Sequence, residues 1–321
     1  MQRLSSQGHA AVWVALIVLI LFGVLRYDNF ASAYNLSSFL GYNSMFVVIS
    51  VGMCLVIMTG GIDLSVGTVA ALASVVAAML SPMGLVVALP AGVAAGLAAG
   101  ALNAGMIAGL RLPPFMATLA TMLAAKGGAL RLSNNRTVPV DWSSNFTWLG
   151  MNKVANLLPW TILVVLVVVV VAWVIIARTS LGRTVLAIGG NAEAAHLMGL
   201  KTRRAEVFVY VFSGGCAGLA GVFLASGYGA GQPLEGAGWE LAAIAAVVVG
   251  GTLLTGGMGS VPATVAGALL FGLVFNLLNF ENGRGTISLS ANWQSVIRGL
   301  FLLIVILLQA RLARPAARTR G

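Results

Sequence analysis

The feature that most constrains this chain is its succession of long uncharged runs, of which residues 160–177 form the clearest example. A helix of about 20 apolar residues matches the hydrocarbon thickness of a bilayer, and runs of this length far exceed a barrel strand. Only 8% of the 321 residues are charged and 59% are hydrophobic, whereas about 25% of the residues in a soluble domain are charged. We therefore predict an all-α, polytopic membrane protein.

The predominantly apolar runs are separated by polar or Gly/Pro-rich connections. They cover residues 10–25, 39–58, 68–80, 85–110, 115–130, 160–177, 205–226, 240–254, 261–280 and 293–309. We predict about ten transmembrane helices within a single membrane domain, residues 1–321. If two of the runs are re-entrant, about eight of them span the membrane instead.

The formal net charge of +10 comes from basic residues in the connections and near the termini. We interpret this excess as a topology signal and expect no nucleic-acid partner. With ten spans, Arg3, Arg111, the basic loop 178–204 and the C-terminal arginines all lie on one side of the membrane. Because basic loops remain in the cytoplasm, both termini are predicted to be cytoplasmic, and the polar connection 131–159 is predicted to lie outside.

The loop 178–204 combines five basic side chains with one acid. Residues 191–200, in the middle of this loop, are predicted to form a short helix. Asn191 can accept a hydrogen bond from the first turn, Glu193 suits the positive end of the helix dipole, and Gly199 can end the helix. A soluble partner that binds a short helix held between two spans can move both spans.

A first Gly-Gly pair joins two apolar runs in the sequence Gly60-Gly61-Ile62-Asp63-Leu64-Ser65-Val66-Gly67. Glycines allow backbone conformations that other residues avoid, so Gly60 and Gly61 can expose backbone groups to a cavity. A carboxylate between two spans is a candidate functional group. Asp63, followed by Ser65, can also simply cap the next helix.

A second Gly-Gly pair follows the eighth run, where Thr255-Gly256-Gly257 echoes Thr59-Gly60-Gly61. Gly-interrupted helices at corresponding places in two halves of a chain are typical of transport pathways. Glu240 begins the same run, and it either caps that helix or places an acid in the path.

Five tryptophans lie near the predicted outer boundaries, and we interpret them first as an interfacial belt and second as stacking platforms for sugars. They are Trp142, Trp148, Trp160, Trp239 and Trp293.

The sequence lacks a Gly-x-x-x-x-Gly-Lys-Ser/Thr motif, so we expect ATP to be hydrolysed by another subunit if it is used at all. Cys54 and Cys216 lie inside apolar runs, and the two histidines, His9 and His196, lie near polar ends. These residues predict no metal site and no His-based catalytic triad. We expect neither an enzyme nor a bound cofactor.

These motifs together resemble the ribose/galactose/xylose-type ABC sugar permeases. The run Gly60–Gly67 is similar to the Gly-Gly-Ile-Asp-Leu-Ser signature of that family, and Leu181–Leu200 is similar to its coupling segment. The run Glu240–Gly259 is similar as well, although Ala242 stands where family members often carry an acid. Within the family, the resemblance is strongest to permease subunits of bacterial galactofuranose importers.

The resemblance implies a type II (vitamin B12 importer-like) ABC permease fold in the bacterial inner membrane. It implies import of a monosaccharide, galactofuranose or a related pentose or hexose. The implied partners are a cytoplasmic ABC ATPase that binds the ATP, a second permease subunit, identical or different, and a periplasmic sugar-binding protein. The loop 131–159 would then be periplasmic, and the loop 178–204 would be the cytoplasmic coupling loop.

The resemblance also assigns roles to the candidate residues. Residues in the translocation path or its helix joints would be Gly60, Gly61, Asp63, Ser65, Gly256, Gly257 and Glu240. Residues that couple to the ATPase would be Gly189, Gly190, Asn191, Glu193 and Gly199.

Two other classes of protein remain as alternatives. A secondary, ion-coupled transporter requires intramembrane carboxylates, and Asp63 is the acid available for that role. An intramembrane enzyme requires paired acids or a His/Ser constellation, and the sequence contains neither in its apolar runs.

The charge distribution makes the topology testable. A cysteine that replaces Ser144 should react with a membrane-impermeant maleimide added from outside, whereas a cysteine that replaces Thr319 should not, because basic segments remain inside. Labelling of intact cells measures both reactions, with lysed cells as the accessibility control. The reverse labelling pattern would reject the predicted orientation.

Overall fold

The computed structural model describes residues 2–155, 157–284, 290, 293, 296, 297, 299, 300 and 303. These residues are mostly helical, as predicted. The helices of the continuous part are α1 (Gln2–Arg26), α2 (Ala33–Met58), α3 (Val66–Met79), α4 (Leu85–Ala104), α5 (Pro114–Leu132), α6 (Trp148–Met151), α7 (Trp160–Arg178), α8 (Ser180–Gly190), α9 (Ala192–Leu197), α10 (Thr202–Tyr228), α11 (Trp239–Val249) and α12 (Val261–Arg284).

Shorter elements complete the described chain. A 3₁₀ turn covers Ser81–Met83, and a π-helical turn, Gly105–Gly109, extends α4. The strands, of two residues each, are β1 (Val138–Pro139), β2 (Lys153–Val154), β3 (Leu158–Pro159) and β4 (Ala230–Gly231).

Among the described residues, five helices are long and apolar enough to cross a membrane, namely α2, α4 with its π-helical extension, α7, α10 and α12. The predicted runs up to residue 280 each coincide with a helix. The last predicted run, 293–309, and the C-terminal arginines lie largely or wholly outside the described residues.

Two of the predicted spans are much shorter than a bilayer is thick. Helix α3 has 14 residues and α11 has 11, so they are about 21 and 16 Å long, against about 30 Å of hydrocarbon. Each of them follows a non-helical segment, 59–65 before α3 and 229–238 before α11. The run predicted for α3, residues 68–80, agrees with the observed length, whereas the run predicted for α11, residues 240–254, is longer than the helix, because the chain leaves the helix after Val249 without losing its apolar character.

Helix α10 lies at the centre of the described bundle and packs against α2, α3 and α4. Glycines line its contact with α4. A Cβ atom on Gly214 would collide with the Gly96 carbonyl oxygen and would lie 2.7 Å from the Gly100 Cα. Small residues let helix backbones approach closely in a membrane, where van der Waals contact replaces the hydrophobic effect as the driving force.

Helix α12 runs antiparallel to α2 and carries α1 on its other side. Asn276 donates to Asn35 Oδ1 (2.9 Å) near one end of the pair, and the Thr264 hydroxyl donates to Cys54 Sγ (3.2 Å) near the other. The Tyr27 hydroxyl, just after α1, donates to Glu281 Oε1 (2.7 Å). These contacts define which residues of α2 and α12 lie at the same height along the bundle.

The predicted outer loop 131–159 is tied to the bundle by its backbone. Strand β1 pairs antiparallel with β4, so that Val138 lies opposite Gly231. The Ser143 N–H and hydroxyl donate to Asp141 Oδ1 at 2.8 and 2.6 Å, and they hold the pKa of this exposed carboxyl below its usual range. The loop is therefore folded against the segment that leads to α11.

The glycine contact between α4 and α10 predicts a difference between two helical glycines. Gly214→Ala should lower the thermal unfolding midpoint of the detergent-solubilised protein, because overpacking costs about 1–3 kcal/mol. Gly127→Ala is the matched control, since nothing lies within 4 Å of the added Cβ in α5, and it should be neutral or slightly stabilising. Equal midpoints for the two variants would contradict the packing.

Candidate translocation and coupling site

The predicted coupling loop, residues 178–204, contains two helices, of which the sequence predicted one. Helix α9 begins after Asn191, whose side chain accepts a hydrogen bond from the Ala194 N–H (2.8 Å), and Gly199 follows its end with φ of +77°. The predicted cap, first-turn Glu193 and stop are thus confirmed. Helix α8 was missed, although Thr179 caps it by accepting from the Gly182 N–H (3.2 Å).

The tip of α9 exposes apolar side chains. Leu197 and Met198 are each 80% exposed, and Glu193 beside them is exposed as well, whereas Ala195 is buried. Large exposed apolar side chains rimmed by polar residues are typical of a protein–protein contact. This end of the coupling loop therefore has the character of a docking surface.

Glycines from three separate segments meet where α8 ends. A Cβ atom on Gly189 would collide with both the Met58 carbonyl oxygen and the Gly257 nitrogen. The Gly257 N–H donates to that same Met58 oxygen (3.0 Å), and a Cβ on Gly256 would lie 2.6 Å from the Gly60 nitrogen. We call Gly60, Gly189, Gly256 and Gly257 the glycine joint.

The conformation of the joint also requires glycine. Gly60, Gly256 and Gly257 have φ of +81°, +82° and +78°, in the left-handed region that other residues seldom adopt. The sequence placed Gly189 in the coupling loop and the other three in the translocation path. The structure brings these two predicted groups into one backbone contact. Gly190 borders it, since a Cβ on Gly257 would lie 3.1 Å from the Gly190 nitrogen, but a Cβ on Gly190 itself would meet nothing within 4 Å.

Asp63 is the centre of a buried polar network and is 1% exposed. Its Oδ1 accepts from the Ser65 N–H (3.0 Å) and hydroxyl (2.6 Å), and its Oδ2 accepts from the Ser213 hydroxyl on α10 (2.8 Å). Asn103 on α4 donates to Asp63 Oδ1 (3.4 Å) and to Ser65 Oγ (3.0 Å). The carboxylate thus ties the segment before α3 to two neighbouring helices.

Sequence reasoning identified Asp63 and Ser65 but missed Asn103 and Ser213. The available signal was weak, since each is an isolated polar residue in a Gly/Ala-rich run. The predicted capping role is partly correct, because Asp63 binds the N–H of Ser65, the residue that precedes α3.

The starts of α3 and α11 lie against each other. A Cβ atom on Gly67 would collide with the Gly236 carbonyl oxygen, and one on Gly236 would collide with that of Gly67. Glu240 Oε1 accepts from the Gly238 N–H (3.2 Å), as the capping interpretation expects, whereas its Oε2 is buried and has no hydrogen-bond partner among the described residues. Glu240 therefore lies at the opposite end of α11 from the glycine joint. Helices that begin beside each other within a bundle are a feature of transporter binding sites.

Trp239 occupies this same turn, and its predicted place in an interfacial belt is wrong. The side chain is only 5% exposed and packs on Phe46 of α2, with ring centroids 5.0 Å apart. Hydrophobicity alone does not separate a tryptophan at the lipid surface from one inside the bundle.

No group of three His, Cys, Asp or Glu side chains is placed to hold a metal ion within the described ranges. The site is built from backbone contacts, neutral polar side chains and the two acids Asp63 and Glu240.

The chain matches, over residues 35–306, the family described as "Branched-chain amino acid transport system / permease component". It is 35% identical over 300 residues to the ribose import permease protein RbsC of Haemophilus influenzae, covering 92% of this chain and 91% of that one. It is 37% identical over 299 residues to the inner membrane ABC transporter permease protein YjfF of Escherichia coli, covering 90% and 87%. Identity to the L-arabinose transport system permease protein AraH of Escherichia coli is 35% over 328 residues, covering 98% and 96%.

No solved structure matches the chain significantly. The chain belongs to this family of transport-system permeases, and the resemblance that its motifs bear to ABC sugar permeases is confirmed.

The Asp63 network predicts different outcomes for two substitutions. Asp63→Asn keeps one acceptor oxygen, and its new amide can donate to the Ser213 hydroxyl, so a good part of transport should remain. Asp63→Leu leaves several buried donors without an acceptor, at about 1–3 kcal/mol each, and should lose most folded protein and transport. Thermal unfolding and uptake measure both effects, and a fully active Asp63→Leu variant would contradict the role of the network.

Proposed function

We propose that this chain is the membrane permease subunit of an ATP-driven importer of monosaccharides. The ribose and L-arabinose permeases named above support this cargo class, since the similarity runs over nearly their whole length. The chain itself forms the path and hydrolyses no ATP, so the nucleotide belongs to a partner. Galactofuranose, or a related pentose or hexose, is the proposed cargo.

The observation that carries the proposal is the contact between the coupling loop and the glycine joint. Gly189 of α8 touches Met58 at the end of α2 and Gly257 in the loop before α12 through backbone atoms alone. Flexible side chains can absorb a displacement, whereas closely packed backbones transmit it. A cytoplasmic ATPase that docks on Leu197 and Met198 would therefore move α2 and the α11–α12 connection together.

For the membrane arrangement we propose ten crossings of a type II (vitamin B12 importer-like) permease, in the bacterial inner membrane, with both termini in the cytoplasm. Helices α3 and α11 would each complete a crossing with the non-helical segment that precedes it. The backbone groups of such segments must bind within the protein, and the hydrogen bonds of Ser65 to Asp63 and of Gly238 to Glu240 supply part of that requirement.

The proposed partners are an ABC ATPase, a second permease subunit and a periplasmic sugar-binding protein. The binding protein would dock on the outer loop 131–159 and the neighbouring turn 227–238. The pairing of β1 with β4 supports this, because it joins those two segments and connects them through the chain to α11. Docking of the binding protein outside and binding of ATP inside would then act on opposite ends of α11.

The test is sugar uptake by proteoliposomes that contain the permease pair, the ATPase and the binding protein. Uptake should require ATP and survive collapse of proton and sodium gradients. Loss of uptake when either gradient collapses would favour the ion-coupled alternative, in which Asp63 would have to exchange its hydrogen-bond donors for an ion.

The glycine joint supplies a variant for the same assay, and α5 supplies its control. Gly189→Ala should reduce uptake per ATP hydrolysed by at least about tenfold, because its Cβ separates the coupling loop from Met58 and Gly257. Gly127→Ala, on α5, meets nothing within 4 Å and should remain coupled. Equal coupling in both variants would contradict the proposal that movement is transmitted through Gly189.

A further inference from the structure

The end of α4, on the side that we propose to be cytoplasmic, presents an arginine on an unusual backbone. The helix ends in the π-helical turn Gly105–Gly109, and the Leu112 N–H donates back to the Met106 carbonyl oxygen (3.1 Å). Arg111, inside this closure, has φ of +58°. A helix that ends in this way normally carries glycine at the left-handed position, because a side chain there is strained.

The identity of the strained residue is informative. The described residues with positive φ that are not glycine are three asparagines, which tolerate this conformation, one alanine and Arg111. Residues in sparsely populated conformations cluster at functional sites, and π-helical turns are frequent there as well. The positive-inside rule explains a basic residue anywhere in this connection, but it does not require one at a strained position.

A second guanidinium group lies beside the same turn. Arg203, in the first turn of α10, places its Nη2 atom 3.9 Å from the position that a Cβ on Gly109 would occupy. Arg111 and Arg203 are both exposed, and neither forms a salt bridge in the part of the chain that the structure describes. Two unpaired cations at one corner of the bundle attract anions.

Apolar side chains continue from this corner onto the surface of α5. Leu110, Phe115 and Met116 are each more than half exposed. Met116, Ala120 and Leu123 are exposed at helical spacing, so they form one strip along α5. On a helix that spans the membrane, such a strip faces acyl chains. The two arginines lie at the end of the strip, at the level of the lipid headgroups.

We propose that the end of α4, the start of α5 and the first turn of α10 bind an anionic phospholipid of the inner leaflet. Its phosphate would pair with Arg111 and Arg203, and its acyl chain would lie along Met116 and Leu123. Basic groups at the cytoplasmic surface favour anionic headgroups over zwitterionic ones, whose ammonium group offsets the phosphate. Only the choice of leaflet rests on the proposed orientation, and the site does not depend on the imported solute.

The lipid would have a structural consequence. A phosphate held by both arginines would join the end of α4 to the start of α10, into which the coupling loop leads. Because a ligand that binds only the folded state stabilises it, the anionic lipid should raise the thermal unfolding midpoint.

The test measures lipid binding to the purified full-length permease by native mass spectrometry. Dioleoylphosphatidylglycerol and dioleoylphosphatidylcholine, which share their acyl chains, are titrated separately, and inorganic phosphate serves as the soluble anion. Phosphatidylglycerol should bind about tenfold more tightly than phosphatidylcholine. Inorganic phosphate should not displace it, because free phosphate lacks the acyl chains that contact α5.

Two double variants that lose equal charge locate the site. Arg111→Gln combined with Arg203→Gln should remove the preference, so that the two lipids bind with equal affinity. Arg131→Gln combined with Arg136→Gln, both exposed near the other end of α5, should keep a preference of about tenfold. Equal loss of the preference in both double variants would show that binding follows net charge, and it would overturn the site.

Arg111→Gly separates a lipid contact from a structural role. Glycine suits the observed φ, so the unfolding midpoint in phosphatidylcholine should be unchanged or raised. The increase of the midpoint that phosphatidylglycerol causes in the unmodified protein should be lost in this variant. A lowered midpoint in phosphatidylcholine, with the preference for phosphatidylglycerol intact, would show that Arg111 is merely structural and would overturn the assignment.

The remaining outcomes distinguish the lipid site from the proposed function. Equal affinity of the unmodified protein for both lipids, or displacement of phosphatidylglycerol by inorganic phosphate, would refute the site while sparing the permease function. Failure of ATP-driven sugar uptake by a protein that still prefers phosphatidylglycerol would refute the proposed function and spare the site. Labelling of Ser144→Cys from the inside alone would refute the assignment to the inner leaflet.

Discussion

Contact between glycine backbones is the interaction on which the rest of this structure depends. Inside a membrane, a backbone N–H or C=O that leaves a helix must find a partner within the protein. The chain leaves its helices before α3 and before α11, and at both places glycines let another backbone approach, Gly60 against Gly256 and Gly67 against Gly236. A side chain at these positions would hold the segments apart and leave their polar groups unsatisfied.

These contacts connect the two faces of the molecule. The coupling loop rests on the glycine joint, the joint leads through its loop to α11, and the segment before α11 pairs through β4 with the outer loop. No long side chain intervenes at Gly189, so in the proposed mechanism a displacement of α8 would be passed directly to α2 and the α11–α12 loop.

The electrostatics of the interior suit a neutral cargo. Asp63 accepts from the Ser65 and Ser213 side chains through both of its oxygens, whereas Glu240 accepts from the backbone of Gly238 through Oε1 and its buried Oε2 has no hydrogen-bond partner among the described residues. A cavity beside Trp239, between α2, α11 and α12, has an uncharged lining within the described part of the chain. An ion-coupled carrier needs a carboxylate whose oxygens face the ion, and the donors around Asp63 occupy those oxygens instead.

Composition and local pattern determined the membrane class, the positions of the helices and the cap of α9, because hydrophobicity, Asn191 and Gly199 act within a few residues of themselves. They also marked the glycine pairs as places where the chain bends. Only the tertiary structure decided that Gly189 meets Gly256, since a glycine has no side chain that could identify its neighbour. It likewise decided that Trp239 is buried and that α11 is short, because lipid-facing, core-facing and extended apolar segments share one composition, and only packing against other helices separates them.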